Sequence, residues 1–369
     1  MWRASTPVCC SSRGKPRPAV VGPSRRTRRS GAPAARLPVA APAPSPRIEL
    51  ARTVGLGERL DDWGLLPTKP NWAQGFEATW TPGEAGGRDR LAAFLDGGLA
   101  GYAALRNRPD LPNVSRLSPH LHWGEISPRQ IWAAVQLRIG AAAKLAKDGD
   151  KFLSEVGWRE FNHHLIYHFP TMQERNWKPA FDAYPWRNDA QQLRAWQRGR
   201  TGFPIVDAGM RELWATGYMH NRVRMVVASF LVKHLRIDWR EGEAWFWDTL
   251  LDADLANNVA GWQWTAGSGA DAAPYFRIFN PMEQGRKFDP DGRYVRRWCP
   301  ELAQLPNDLI HAHSRRARRS WQRPAWSSGA RIRSRSSLMR RRGRPHSRGM
   351  KRSNEPRPVD SVGDGVRRG

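Results

Sequence analysis

Residues 202–235 read GFPIVDAGMRELWATGYMHNRVRMVVASFLVKHL, and their spacing decides the fold class. In the second half, apolar residues recur at Val223, Val226, Val227, Phe230, Leu231 and Leu235. Offsets of 3, 4, 7, 8 and 12 keep them on one face of a helix of about 3.6 residues per turn, where a strand would need alternation. In the first half the spacing predicts a helix over Asp207–Gly217, with Asp207 as its cap and Gly217 as its stop. Met210, Leu213 and Trp214 share one side of it. Similar stripes run through Ile126–Leu145 and Phe152–Phe169. No stretch offers several alternating runs at hairpin spacing, so the expected fold class is all-α.

Around this helical centre, charge divides the chain in three. The 369 residues carry 60 Lys+Arg and 34 Asp+Glu, a formal charge of +26. Residues 1–47 hold 10 basic residues and no acidic one, and residues 313–369 hold 18 basic and 3 acidic. Residues 48–312 hold 32 basic and 31 acidic, so the two ends supply 25 of the 26 charges. Both ends are rich in Arg and Ser and lack an apolar stripe; we expect disordered basic segments on either side of one folded unit, 48–312. Prolines such as Pro16, Pro18 and Pro33 oppose the amphipathic helix of an organelle transit peptide, leaving targeting a weak reading and the cytoplasm the expected compartment. The longest apolar run, Val226–Val232 with one Ser, falls far short of the roughly 20 residues of a membrane helix. Three cysteines, Cys9, Cys10 and Cys299, form no disulfide or zinc spacing.

Several motifs have to be weighed. Gly267-Ser-Gly269-Ala-Asp-Ala272, with Asp289 about twenty residues on, matches a dinucleotide fingerprint in letters only. No buried strand precedes it, and Pro274 and Pro281 would interrupt any helix after it, so a turn is the better reading. Glu160, His164 and His168 share a helical face beside His163, but the order is not that of a zinc helix, and polar contacts in a bundle are the expectation; no metal is expected. Asp252-Ala253-Asp254 with Asn257 and Asn258 reads either as helix caps or as polar partners for a heteroaromatic ring. Sixteen of the nineteen tryptophans fall within 48–312, and Trp262-Gln-Trp264 and Asn221-Arg222 suit base stacking and phosphate contact.

Taken together, SRLSPHLHWGEISPRQIW (115–132), SEVGWREFNHHLIYHFP (154–170), YPWRND (184–189), the 202–235 stretch and the run from Asp248 to Leu302 closely resemble the FAD-binding helical domain of the DNA photolyase/cryptochrome family. The resemblance is collinear from about Leu56 to Ala312 and is strongest to bacterial-type cyclobutane pyrimidine dimer photolyases. It implies FAD as cofactor, held by Tyr102, by the phosphate-binding loop Val114, Ser115, Arg116, Leu117 and Ser118, and by Arg159, Arg224, Asp252, Ala253, Asp254 and Asn258. Val114 stands where the family has a threonine, a loss of one hydrogen bond on the order of 1 kcal/mol. The resemblance implies a lesion cavity from Glu155, Trp158, Arg159, Asn221, Met225 and Trp264, with Arg106 and Arg222 on DNA phosphates. It assigns electron transfer to Trp186, Trp239 and Trp262.

The implied activity is light-driven repair of cyclobutane pyrimidine dimers in DNA, a carbon–carbon lyase reaction by a monomer. Nothing in the chain resembles the family's N-terminal α/β antenna domain, so that domain is expected to be absent and a folate or deazaflavin antenna chromophore unbound. After LPNDLIHA the resemblance stops, and truncation could impair the activity. A cryptochrome-like blue-light receptor without repair, and an inactive fragment binding nucleic acid through its basic ends, are the competing readings.

Overall fold

The computed structural model describes residues 38–49, 57–66, 69–274 and 277–311. Most of the first basic segment, residues 1–37, and all of 313–369 lie outside the described residues. Among the described residues every regular element is a helix and none is a strand. In chain order the principal helices are α1 (Gly83–Ala93), α2 (Tyr102–Leu105), α3 (Ser118–His122), α4 (Pro128–Ala141), α5 (Ala146–His168) and α6 (Ala190–Gln197). They continue with α7 (Pro204–Thr216), α8 (Asn221–Ser229), α9 (Trp239–Thr249), α10 (Leu255–Ala266), α11 (Pro281–Phe288) and α12 (Arg293–Trp298). Among the described residues no helix is long and apolar enough to cross a membrane.

Side chains satisfy many of the backbone N–H groups left over at helix starts. Ser127 and Gln130 form a reciprocal capping box on α4, and Asp189, Asp238, Asp254 and Asn280 accept from the first turns of α6, α9, α10 and α11. Gly217 ends α7 with a φ of 64°, a left-handed value that costs a glycine nothing. Among the described residues the apolar faces fill two main cores, with a small third cluster at Phe181 and Tyr184. The larger gathers Trp196, Phe203, Leu213, Val227, Trp239 and Trp262 under α6 to α12, and the smaller gathers Phe94, Tyr102, Ile131, Val135 and Phe152 under α1, α2 and α4. Helix α5 belongs to both, with Phe152 and Leu153 in the small core and Leu165 in the large one. It packs on α2, α4 and α10, while α10 also packs on α8 and α9.

Three local expectations are refined. Helix α7 starts at Pro204, a residue suited to the first helical position, not at Asp207. The Asp207 carboxylate turns back instead, accepting from Thr201 N (2.7 Å), Thr201 Oγ1 (2.6 Å) and Gly202 N (2.9 Å). The apolar stripe that begins at Val223 outlasts α8, because residues Phe230–Leu235 form a π turn whose side chains stay buried. The dinucleotide-like glycines are the end of α10: the N–H groups of Gly267, Ser268 and Gly269 all donate to Gln263 O.

Candidate functional site

The site grows from the turn between α7 and α8. Arg224, on the first turn of α8, points at Asp252 with Nη2 2.7 Å from Oδ2 and 3.0 Å from Oδ1, while its Nε donates to Met219 O at 2.7 Å. Asp252 is buried and Arg224 half-buried, so the carboxylate side of the pair is shielded from water. Tyr218 lies between two guanidinium groups, 4.7 Å from that of Arg116 and 5.5 Å from that of Arg224. Arg116 also stacks over Trp80 at 4.8 Å, and Trp80 meets Tyr218 edge-on. Burial pushes the Tyr218 phenol up to about 12 against the pull of Arg224, so it stays neutral at physiological pH. Glu212, buried below them, accepts from Tyr294 Oη at 2.6 Å.

Asp254 caps α10 through Asn257 N (2.9 Å) and also accepts from Asn257 Nδ2 (2.6 Å). Its second oxygen forms an ion pair with His163 Nε2 of α5 at 3.1 Å. Beside it, Asn162 Nδ2 donates to Asn257 Oδ1 at 2.8 Å, so two consecutive residues of α5 clip the start of α10. Burial alone would raise the Asp254 carboxyl, but the His163 bond and charge bring it down to about 2. Asn258 donates from Nδ2 to Glu243 O (3.0 Å) and Glu243 Oε1 (2.8 Å), which turns its amide oxygen away from Glu243. Ala253, between the two aspartates, is buried.

The segment Val114–Ser118 crosses from α2 into α3. Arg116 takes a left-handed φ of 52° there, Ser115 Oγ accepts from Leu117 N at 3.4 Å, and Leu117 is buried. Arg116 Nε is buried without a hydrogen-bond partner among the described residues. Ser118 opens α3. Tyr102, at the start of α2, is buried edge-on to Phe94 and Phe152, and burial pushes its phenol up.

Residues implied for the substrate fall on α5, α8, α10 and the chain after α2. Glu155 is held by Arg106 Nη1 at 3.2 Å and by Lys151 Nζ at 2.6 Å. Arg222 donates twice to Asn107 Oδ1 (2.9 and 3.2 Å) and stacks over Phe288 at 4.4 Å. Asn221 is exposed at the first position of α8, with Met225 one turn on and half-buried. Trp158 and Trp264 are half-buried, and Trp158 meets Phe161 edge-on. Arg159 is half-buried, its carbonyl bonded to His163 Nδ1.

The implied electron-transfer residues sit in or against the large core. Trp262 is buried edge-on to Phe246 (5.0 Å) and Trp196 (6.2 Å). Trp239 is buried and donates to Asn176 Oδ1, with the Arg240 guanidinium over its ring; Trp186 is half-buried against Tyr184. Gly242 makes room for Trp262: a Cβ there would lie 2.1 Å from its Cη2.

Sequence reasoning passed over Tyr218, Trp80, Glu212 and Glu243, and met His163 only as the neighbour of a possible metal face. Tyr218 had a signal, its place directly after the helix-ending Gly217, but His163 and Glu243 acquire partners only through packing. The histidine face that could suggest a metal resolves into ring contact between His164 and His168 at 4.4 Å. Among the described residues no group of three or more His, Cys, Asp or Glu is placed to hold a metal ion.

The body is all-helical around a half-buried Arg224 paired with a buried Asp252, and the comparisons with known proteins give it a family. Residues 152–335 match the family described as the FAD binding domain of DNA photolyase. The deoxyribodipyrimidine photo-lyase of Agrobacterium fabrum is 56% identical over 273 residues, covering 73% of this chain and 56% of the relative. That of Thermus thermophilus is 48% identical over 62% of this chain and 53% of the relative, and cryptochrome-1 of Arabidopsis thaliana 45% identical over 63% and 35%. A bacterial class III photolyase structure from Agrobacterium tumefaciens superposes with a TM-score of 0.75 at 49% identity, covering 82% of this chain and 63% of that one. The chain belongs to the DNA photolyase/cryptochrome family, carries its FAD-binding domain, and is more similar to the bacterial photolyases than to the plant cryptochrome. It spans a little over half the length of the bacterial relatives.

The donor set fits a flavin dinucleotide. The buried, unpartnered Arg116 Nε, on a loop that also carries Ser115 and Ser118, suits a diphosphate, and Asp254 provides an ionised acceptor for ring N–H groups.

Proposed function

We propose that this chain binds FAD and repairs cyclobutane pyrimidine dimers in DNA under blue light. The observation that carries the reading is the set of ion pairs that implied residues make across distant segments: Arg224 with Asp252, Asp254 with His163, Glu155 with Arg106. Ser115, Arg116 and Ser118 would hold the diphosphate, Asp254 the polar edge of the flavin, and Asn258 its reactive nitrogen. Reduced FAD, when bound, supplies the light absorption and the electron that splits the cyclobutane ring and then returns.

The chain's own residues do the rest. Arg224 stays cationic beside Asp252 and fixes a positive charge at the cofactor. Trp158 and Trp264 give apolar faces to an extruded dimer, and Glu155, an acceptor when ionised, reads thymine N–H. Arg106 and Arg222 neutralise flanking phosphates. Trp262, Trp239 and Trp186 relay an electron toward the surface. A DNA substrate in a bacterial-type cell makes the cytoplasm the compartment of this activity. Relatedness to cryptochromes keeps a second reading, light reception without repair, as an outcome of the test.

The test is to purify the full chain, record flavin absorbance, and illuminate it with single-stranded DNA carrying pyrimidine dimers. Loss of dimers that needs both light and flavin supports repair. Photoreduction without dimer loss supports the receptor reading, and absence of flavin uptake sinks both.

A further inference from the structure

His163 stands directly behind Asp254. Its Nε2 is 3.1 Å from Asp254 Oδ2, and its Nδ1 is 2.9 Å from Arg159 O, one turn back on α5. Both ring nitrogens therefore face oxygen acceptors. A neutral imidazole has one N–H, so it can satisfy only one of them, whereas the imidazolium satisfies both. The second carboxylate oxygen is occupied by Asn257, which Asn162 holds in turn, so Asp254 has one orientation set from both sides.

We infer that His163 is a positioning residue that keeps a positive charge behind Asp254 and thereby favours the reduced form of the bound flavin. The inference rests on the reading in which Asp254 meets the flavin's polar edge. Reduction puts electron density on that edge, and an uncompensated Asp254 carboxylate would oppose it. The cation at His163 cancels much of that opposition from a partly buried position, where screening by water is weaker than at the surface. Two groups act on the His163 charge from close by: Asp254, from the start of α10, and Arg159 on its own helix. Glu160, His164 and His168 occupy the same helix, and His164 is coupled to the other two.

Burial would lower the His163 imidazole, but the Asp254 carboxylate raises it above its ordinary value. The charge is therefore complete below that ordinary value and is lost as pH rises through the elevated one. The flavin's preference for reduction should fall over the same window.

The experiment uses the full chain reconstituted with FAD, equilibrated against a redox dye at fixed potential, with the reduced-to-oxidised ratio read by absorbance at several pH values. Wild type should lose reduced flavin as pH rises through the His163 transition beyond the change of free FAD. His163→Gln, which keeps a donor but not the charge, should lower the ratio about tenfold at neutral pH and remove that extra pH dependence. His163→Arg should restore the ratio and leave only the pH dependence of free FAD. Unfolding curves of all three proteins separate this from a purely structural clip, which would change stability but not the ratio. FAD uptake with equal ratios in wild type and His163→Gln overturns the role of His163 alone. Failure of wild type to take up FAD overturns the site reading and this role with it.

Discussion

Arg224 shows how one residue can couple stability to site chemistry. Its guanidinium is aimed by Met219 O and paired with a carboxylate that has lost its water, so removing either partner strands a charge inside the protein. Replacing Arg224 with Met should destabilise the fold by about 3 kcal/mol, read as a lower urea midpoint at unchanged slope. Asp252→Asn, which keeps an acceptor and removes the charge, should cost visibly less. Equal costs would mean that the charge, and not the retained acceptor, carries the pair. The resemblance of motifs made this pair legible before any coordinates, because both residues sit in recognisable runs. His163 was different. Glu160, His164 and His168 beside it, spaced by four, drew attention to a possible metal face, whereas its actual partner, Asp254, caps another helix and is brought to it only by the packing of α5 on α10.

At the level of the element, α7 shows what periodicity can and cannot locate. The apolar offsets identify the helix and its buried face, yet its first residue is hidden by a carboxylate that serves the preceding loop. An aspartate before an apolar stripe signals a cap from sequence alone, and only the three-dimensional turn at Thr201 shows that Asp207 reaches backward. The same limit hides the π turn after α8, since its side chains keep the face of the helix it extends. The inward placement of Asp207 has a measurable consequence. Burial raises its carboxyl to about 6 despite bonds from Thr201 and Gly202, so the folded state holds a proton that the unfolded state gives up earlier. Stability from this group is present at low pH and is lost as pH rises from about 4 toward 6. Asp207→Asn, which does not titrate, should therefore gain on wild type by about 2 kcal/mol between pH 4 and pH 7. Paired urea titrations at those pH values give the difference directly, and a difference that does not move with pH would refute the burial argument.

For the whole molecule, the formal charge of +26 suggests a nucleic-acid binder, but its distribution assigns that charge a narrower role. Residues 48–312 are nearly neutral, and there the basic groups implied for DNA are individually placed: Arg106 against Glu155, Arg222 against Asn107 and Phe288. Non-specific affinity follows the number of phosphates neutralised and falls steeply with salt, whereas discrimination of a damaged site depends on groups that touch the extruded bases. The basic ends should therefore set the salt slope, and the helical body the preference for damage. Dissociation constants of the full chain for dimer-containing and undamaged DNA, measured in the dark over a range of salt, should fall on two steep and parallel lines. Arg222→Gln should reduce both slopes by about one, the loss of a single phosphate contact. Glu155→Gln should leave both slopes alone and bring the lines together. Lines that converge as salt rises in the wild-type chain would show that the preference for damage is itself electrostatic, and that the neutral helical body is not its source.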